Sequence, residues 1–189
     1  PPPKPLPSMR IAEIFRSFQG EGLLTGRGSV FVRTSGCNLR CWFCDTPYAS
    51  WRPEGELLPW QEVLARTEAV LEQPASLPFE RLPPTALLSD VREGAGEGRF
   101  AVLTGGEPMI FPDLVPLSHE LRQRGWHITI ETAGTRYLPV ACDLMSLSPK
   151  LSNSAPAAAD HSRWNRWHER RRFAPEVIRR LASEYPHQV

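Results

Sequence analysis

The sequence predicts an α/β fold built on a mostly parallel sheet. Three observations carry this. Short β-branched and apolar runs alternate along the chain with stretches of helical periodicity, the order that produces right-handed βαβ units. One run, FAVLT at 100–104, is apolar almost throughout and stops at Gly105-Gly106, as a strand buried on both faces does. The residues with evident chemistry follow such runs, and in parallel α/β folds the working residues sit at the carboxyl ends of the strands.

Residues 1–8, with five prolines in the first seven positions, read as an extended, solvated arm, and residues 9–189 as a single domain. Ile11, Ile14 and Phe15 form a short apolar run that the glycines of FQGEG (18–22) break. VFVRT (30–34) is β-branched and aromatic, a strand that leads straight into SGCNLRCWFC. Apolar residues at 60, 63, 64, 70 and 71 have helical spacing between Pro59 and Pro74, so residues 60–71 are expected as helix. Four prolines between Pro74 and Pro84 mark a surface excursion. After the strand at 100–104, residues 112–124 are expected as helix with Gly125 as its C′ residue. WHITIE (126–131) alternates as a strand, and CDLMSLS (142–148) is another. Residues 173–184 close the order as a helix with Val177, Ile178 and Leu181 on one face.

Composition excludes several classes. No apolar run approaches the ~18 residues of a membrane-spanning helix, and PPPKPLPSMR lacks the apolar region of a secretory signal. A net charge of +1 does not describe a polyanion binder. Charge is uneven, however: residues 163–180 hold seven arginines against two glutamates. That stretch reads as a solvated amphipathic helix. The rival is an RNA-binding module in which Trp164 and Trp167 stack bases.

Four cysteines are too few for a disulfide framework, and three of them fall within eight positions. In a chain that otherwise looks cytoplasmic, this points to metal. The spacing is Cys37-x3-Cys41-x2-Cys44. Three thiolates on one loop can hold three irons of a [4Fe–4S] cube and leave the fourth iron open. Structural zinc wants four Cys or His ligands; none beyond these three lies in the loop, and the next histidine is His119. A redox pair of Cys41 and Cys44 has no need of Cys37. Cys142 sits in an apolar run and reads as a core residue.

The cysteine spacing with Phe43 before the last cysteine, GGEP at 105–108 and the parallel βα order together resemble the radical S-adenosylmethionine superfamily. Within it, FQGEG (18–22), VFVR (30–33), GCNLRCWFCDT (36–46), TGGEP (104–108), ETAGT (131–135) and SPKLSNS (148–154) resemble the 7-carboxy-7-deazaguanine synthase family. The resemblance implies a partial (β/α) barrel of the radical S-adenosylmethionine type. The chain stops at YPHQV where the family continues, so it is expected either as a member shortened at the C-terminus or as a fragment of a longer one. The resemblance also implies a lyase that converts 6-carboxy-5,6,7,8-tetrahydropterin to 7-carboxy-7-deazaguanine with loss of ammonia, on the route to queuosine. One electron delivered to S-adenosylmethionine gives a 5′-deoxyadenosyl radical, which takes a substrate hydrogen. The hydrogen later returns, so S-adenosylmethionine acts as a cofactor.

Carried onto this chain, the resemblance makes Cys37, Cys41 and Cys44 the cluster ligands. Gly105, Gly106 and Glu107, before Pro108, would bind the methionine end of S-adenosylmethionine by close backbone approach. Phe43 and Asp45 would touch its adenosine, and Ser148, Pro149 and Lys150 would add a further contact. Phe18, Gln19 and Gly20 would read the pterin edge, Arg33 its carboxylate, and Thr104 a further substrate group. Thr46 would ligate Mg²⁺. The plain alternatives are a Gly-containing turn at FQGEG, an exposed ion pair for Arg33, a solvated Lys150 and a turn-capping Thr46. Implied partners are the pterin, an electron donor such as flavodoxin and a second copy in a homodimer; no membrane or nucleic-acid partner is expected. Rival functions are another enzyme of the superfamily, such as a glycyl-radical activating enzyme, and a zinc- or RNA-binding module.

Overall fold

The computed structural model describes residues 8–72 and 98–189. Nearly all of the proline-rich arm and the whole excursion at 74–84 lie outside the described residues. The strands are β1 (Met9–Phe18), β2 (Gly28–Thr34), β3 (Glu56–Leu58), β4 (Arg99–Gly105), β5 (Trp126–Thr132), β6 (Leu144–Leu147) and β7 (His187–Gln188). The helices are α1 (Pro47–Ser50), α2 (Trp60–Glu72), α3 (Leu114–Gln123), α4 (Ala158–Glu169) and α5 (Pro175–Glu184).

The strands form one sheet in the order β3-β1-β2-β4-β5-β6-β7. From β2 to β7 every neighbour is parallel; β1 runs antiparallel to both β2 and β3. The mostly parallel sheet is thus the predicted one. Its centre is dry because helices cover it: Val30 and Val32 of β2, Leu103 of β4, and Ile128 and Ile130 of β5 have no exposed surface. Val63 and Leu64 of α2 and Leu114, Leu117 and Leu121 of α3 pack into the same apolar core. α3 stops at the expected place, with Gly125 in the left-handed region at φ 77°.

Three parts of the sheet and its surroundings escape the periodicity. β1 was expected only as a short apolar run. Only Met9 and Ile11 of its ten residues are buried, and the register with β2 shifts between Ile11 and Glu13, which breaks the alternation that marks a strand. β3 and β7 are three and two residues long, too short for any pattern. The arginine-rich stretch at 163–180, expected as one amphipathic helix, falls on two, α4 and the start of α5 with a turn between them, while the helix expected at 173–184 is α5.

The rim at the carboxyl ends of β2 and β4 is built by backbone contact. A Cβ on Gly105 would overlap the Thr34 carbonyl oxygen, and one on Gly106 the carbonyl oxygens of Gly36 and Ala49. Gly105 also sits at φ 141°, a backbone region other residues avoid. Glu107 follows them, fully buried. Its Oε1 accepts from Met109 N at 3.1 Å and Thr132 Oγ1 at 2.6 Å, and its Oε2 from Ala133 N at 2.9 Å. One carboxylate thereby ties the loop after β4 to the end of β5. Burial pushes this carboxyl above the usual carboxylate range, against the pull of the three donors.

Glu107→Gln keeps the shape but turns an NH₂ toward a backbone N–H that cannot rotate away. The expected loss is about 1–3 kcal/mol of unfolding free energy, the cost of a buried donor left unpaired, read from urea denaturation. Parental stability in this variant would show that the carboxylate does not hold the loop.

Candidate active site

A cavity of about 400 Å³ opens at the carboxyl ends of the parallel strands. Four strand exits and the segment before β2 furnish it. Cys37, Leu39, Cys41, Phe43, Cys44, Asp45 and Thr46 come from the loop after β2, with Arg33 from the strand itself. Thr104, Gly105 and Gly106 end β4; Glu131, Thr132 and Ala133 end β5; Ser146 and Ser148 end β6, with Lys150 beyond. Glu21 and Ser50 complete the lining.

The three thiols therefore face one space. Burial pushes the Cys37 thiol up to about 12, opposed by Leu39 N, which donates to Sγ at 3.3 Å. Burial raises Cys41 too, with the Lys150 charge drawing it back. Cys44 Sγ lies 3.1 Å from Ser50 Oγ and 3.8 Å from Thr46 Oγ1. Among the described residues no group of three or more His, Cys, Asp or Glu side chains converges tightly enough to hold a metal ion. A closed zinc site takes four Cys or His ligands, whereas a cube can be held by three thiolates, one on each of three irons. No histidine and no fourth cysteine lines the cavity. The donor set fits the cluster better than it fits zinc. Cys142 lies apart, buried, with Sγ 3.7 Å from Ile128 O.

Arg33 is held at the edge. Its Nε donates to Glu13 Oε1 at 2.7 Å, and Tyr48 Oη donates to the same oxygen at 2.8 Å. Its guanidinium lies 5.8 Å from the Phe15 ring centre. The ion pair anticipated as the plain alternative exists, and the same side chain still lines the cavity. Lys150 Nζ donates to Ser148 Oγ at 2.7 Å, and Thr46 Oγ1 to Asp45 Oδ1 at 3.4 Å.

Of the residues singled out in the sequence, Cys37, Cys41, Phe43, Cys44, Asp45, Thr46, Arg33, Thr104, Gly105, Gly106, Ser148 and Lys150 line this one cavity. Phe18, Gln19, Gly20, Glu107 and Pro149 are not part of its lining. Glu107 is turned into the interior. Gln19 is buried: its Nε2 donates to Glu131 Oε1 at 2.9 Å, and its Oε1 accepts from Gly20 N at 2.8 Å and Glu21 N at 3.3 Å. This brace turns the FQGEG segment so that Glu21 reaches the cavity.

Sequence reasoning assigned no role to Glu131 and passed over Ser50, Ser146 and Gln188. Glu131 stands at a strand end, which was signal enough. Gln188 carried none: its Oε1 accepts from Leu23 N at 2.8 Å and its Nε2 donates to Ser146 Oγ at 3.0 Å, partners remote in the chain.

Comparison with known proteins agrees with this geometry. The family model described as the radical SAM superfamily matches residues 31–151. The chain is 47% identical over 174 residues to the 7-carboxy-7-deazaguanine synthase of Rhodopirellula baltica, covering 92% of this chain and 58% of that one. It is 37% identical over 187 residues to the 7-carboxy-7-deazaguanine synthase of Halobacterium salinarum, covering 97% of this chain and 63% of the other. The crystal structure of QueE from Escherichia coli superposes with a TM-score of 0.51 at 27% identity, over 76% of this chain and 60% of that one. The chain spans about three fifths of the length of these relatives. With its three cysteines, its glycine pair and its strand-end cavity in these positions, the chain belongs to the radical S-adenosylmethionine superfamily, within which it is similar to the 7-carboxy-7-deazaguanine synthases.

Proposed function

We propose that this chain carries the active site of a 7-carboxy-7-deazaguanine synthase, converting 6-carboxy-5,6,7,8-tetrahydropterin to 7-carboxy-7-deazaguanine with loss of ammonia. Membership of the superfamily implies a [4Fe–4S] cluster and S-adenosylmethionine. The observation that carries the narrower reading is the single cavity that Cys37, Cys41 and Cys44 share with Arg33, Thr46 and Thr104.

In this reading Cys37, Cys41 and Cys44 hold the cluster. When bound, the cluster and S-adenosylmethionine supply one-electron hydrogen-abstraction chemistry at carbon. The chain's residues bind and orient. Gly105 and Gly106 present their backbone to the methionine end of S-adenosylmethionine, the absence of side chains letting their loop seat against Thr34, Gly36 and Ala49, with Glu107 and Pro108 fixing it from behind. Phe43, Asp45, Ser148, Pro149 and Lys150 surround the rest of S-adenosylmethionine. Arg33, its Nε already anchored on Glu13, keeps its remaining donors for the planar substrate carboxylate. Thr104 meets the substrate from the end of β4, and Phe18, Gln19 and Gly20 shape the side from which Glu21 enters. Mg²⁺ on Thr46 Oγ1 would keep most of its waters and clamp substrate oxygens. A homodimer, a one-electron donor of the flavodoxin kind and a cytoplasmic setting go with this reading. No helix among the described residues is long and apolar enough to cross a membrane.

Anaerobic reconstitution followed by incubation with the tetrahydropterin and S-adenosylmethionine tests the reaction. Reconstituted protein is expected to carry about four irons and four sulfides, and Cys142→Ala to keep them; stoichiometric zinc that resists exchange would sink the cluster. Arg33→Ala is expected to raise KM for the pterin about tenfold or more while uncoupled cleavage of S-adenosylmethionine continues. Unchanged KM would reduce Arg33 to a surface ion pair.

The metal has its own test. Added Mg²⁺ is expected to raise turnover of the parent, and Thr46→Ala to lose most of that response at unchanged iron content. Equal stimulation of both proteins would leave Thr46 as a turn residue.

A further inference from the structure

The segment that carries the three thiols, residues 35–46, has no helix or strand of its own. Its backbone groups need partners from elsewhere: β1, the loop after β4 and Trp51 supply some, and α4 with the residues before it supplies others. The Arg40 amide donates to His168 Nδ1 at 3.0 Å. Trp167 Nε1 donates to Asn38 O at 3.0 Å, and Trp42 N to Ser154 O at 3.1 Å. The Arg40 guanidinium lies 4.6 Å from the ring centre of Trp164, and its Nη1 donates to the carbonyls of Cys37 and Leu39 at 2.8 and 2.6 Å.

Apart from the edge-on contact of Trp164 with Trp51 and the bond of Asn165 Nδ2 to Pro156 O, the described side chains of α4 are turned to this loop or to solvent. The helix gives no residue to the apolar core. Among its described side chains His168 alone is buried, with no exposed surface. A histidine accepting at Nδ1 carries its proton on Nε2, and Nε2 faces Ser154 Oγ at 2.9 Å. The imidazole is therefore bonded at both nitrogens, to the cysteine loop on one side and to the segment after Lys150 on the other. Burial holds it below its usual range, which keeps Nδ1 free to accept.

We propose that α4 is a clamp on the cluster-binding loop and that His168 is its positioning residue, fixing the Arg40 amide between Cys37 and Cys41. The clamp sets the spacing of the thiols without itself touching iron. Groups of this kind behind metal ligands commonly change metal affinity by about 10- to 100-fold. This inference rests on Cys37, Cys41 and Cys44 being the cluster ligands.

The test uses the anaerobically reconstituted full chain and its His168→Ala, His168→Asn and Trp167→Phe variants. Iron release to a chelator and the paramagnetic resonance spectrum of the reduced cluster are recorded for each. His168→Ala is expected to release iron about 10- to 100-fold faster with an altered spectrum. His168→Asn, whose side-chain oxygen can stand where Nδ1 stands, is expected to recover most of the loss. Trp167→Phe, which removes one bond to Asn38, is expected to fall between. Parental release and spectrum in both His168→Ala and Trp167→Phe would overturn the clamp. Should His168→Ala fail to fold, Trp167→Phe decides: faster release supports the clamp and parental release overturns it. A parent that takes up no iron would instead overturn the ligand assignment, along with the clamp that depends on it.

Discussion

The rim depends on two loops touching without side chains between them. Gly106 N donates to Thr34 O at 3.1 Å, Glu107 N to Gly36 O at 2.9 Å, and Gly36 N to Ala49 O at 2.8 Å. These bonds join the exit of β2 to the exit of β4 and to α1. The parallel register sets Arg33 beside Thr104 and Thr34 beside Gly105, so the two strands end level. The cysteine loop and the glycine pair then face the same space. Any Cβ at Gly106 would push the loops apart, and the cavity floor with them.

From that floor outward the site is braced in pairs. Glu107 joins the β4 exit to the β5 exit, Gln19 joins the FQGEG segment to Glu131, and Gln188 joins Leu23 to Ser146. Each brace is an amide or carboxylate bonded to two or more partners, which fixes direction as well as distance. The residues left facing the cavity carry both signs of charge, with Arg33 and Lys150 set against Glu21, Asp45 and Glu131. Such a surface suits ligands of mixed charge and discriminates by their orientation.

The legible parts of the sequence were those with one dominant physical demand. β4 is buried from Ala101 to Thr104 and reads as one apolar run, while β2 and β5 show their apolar centres at Val30–Val32 and at Ile128 and Ile130. The cysteine spacing and the glycine pair were readable because metal chemistry and close backbone approach admit few residue types. β1 was obscured by its bulge and its half-exposed face. α4 was harder still: its partner is an irregular loop, so it bears no apolar stripe, and its arginines dominate the pattern. Trp164 and Trp167, which suggested base stacking, are turned to other uses. Trp164 packs edge-on against Trp51, and the Arg171 guanidinium covers Trp167 at 3.4 Å. The one clue in the sequence was a histidine among these tryptophans, and its partner Arg40 lies 128 positions away.

That distance bears on how the site assembles. The bonds that finish it span 97 positions from Asn38 to Thr135, 112 from Gln19 to Glu131 and 165 from Leu23 to Gln188. Closing such long loops carries an entropic penalty before any contact repays it. During synthesis the three thiols leave the ribosome well over a hundred residues ahead of His168. Under the clamp proposed for α4, the final spacing of the thiols would be among the last features to be set, so a nascent chain would offer iron a looser trio than a finished one.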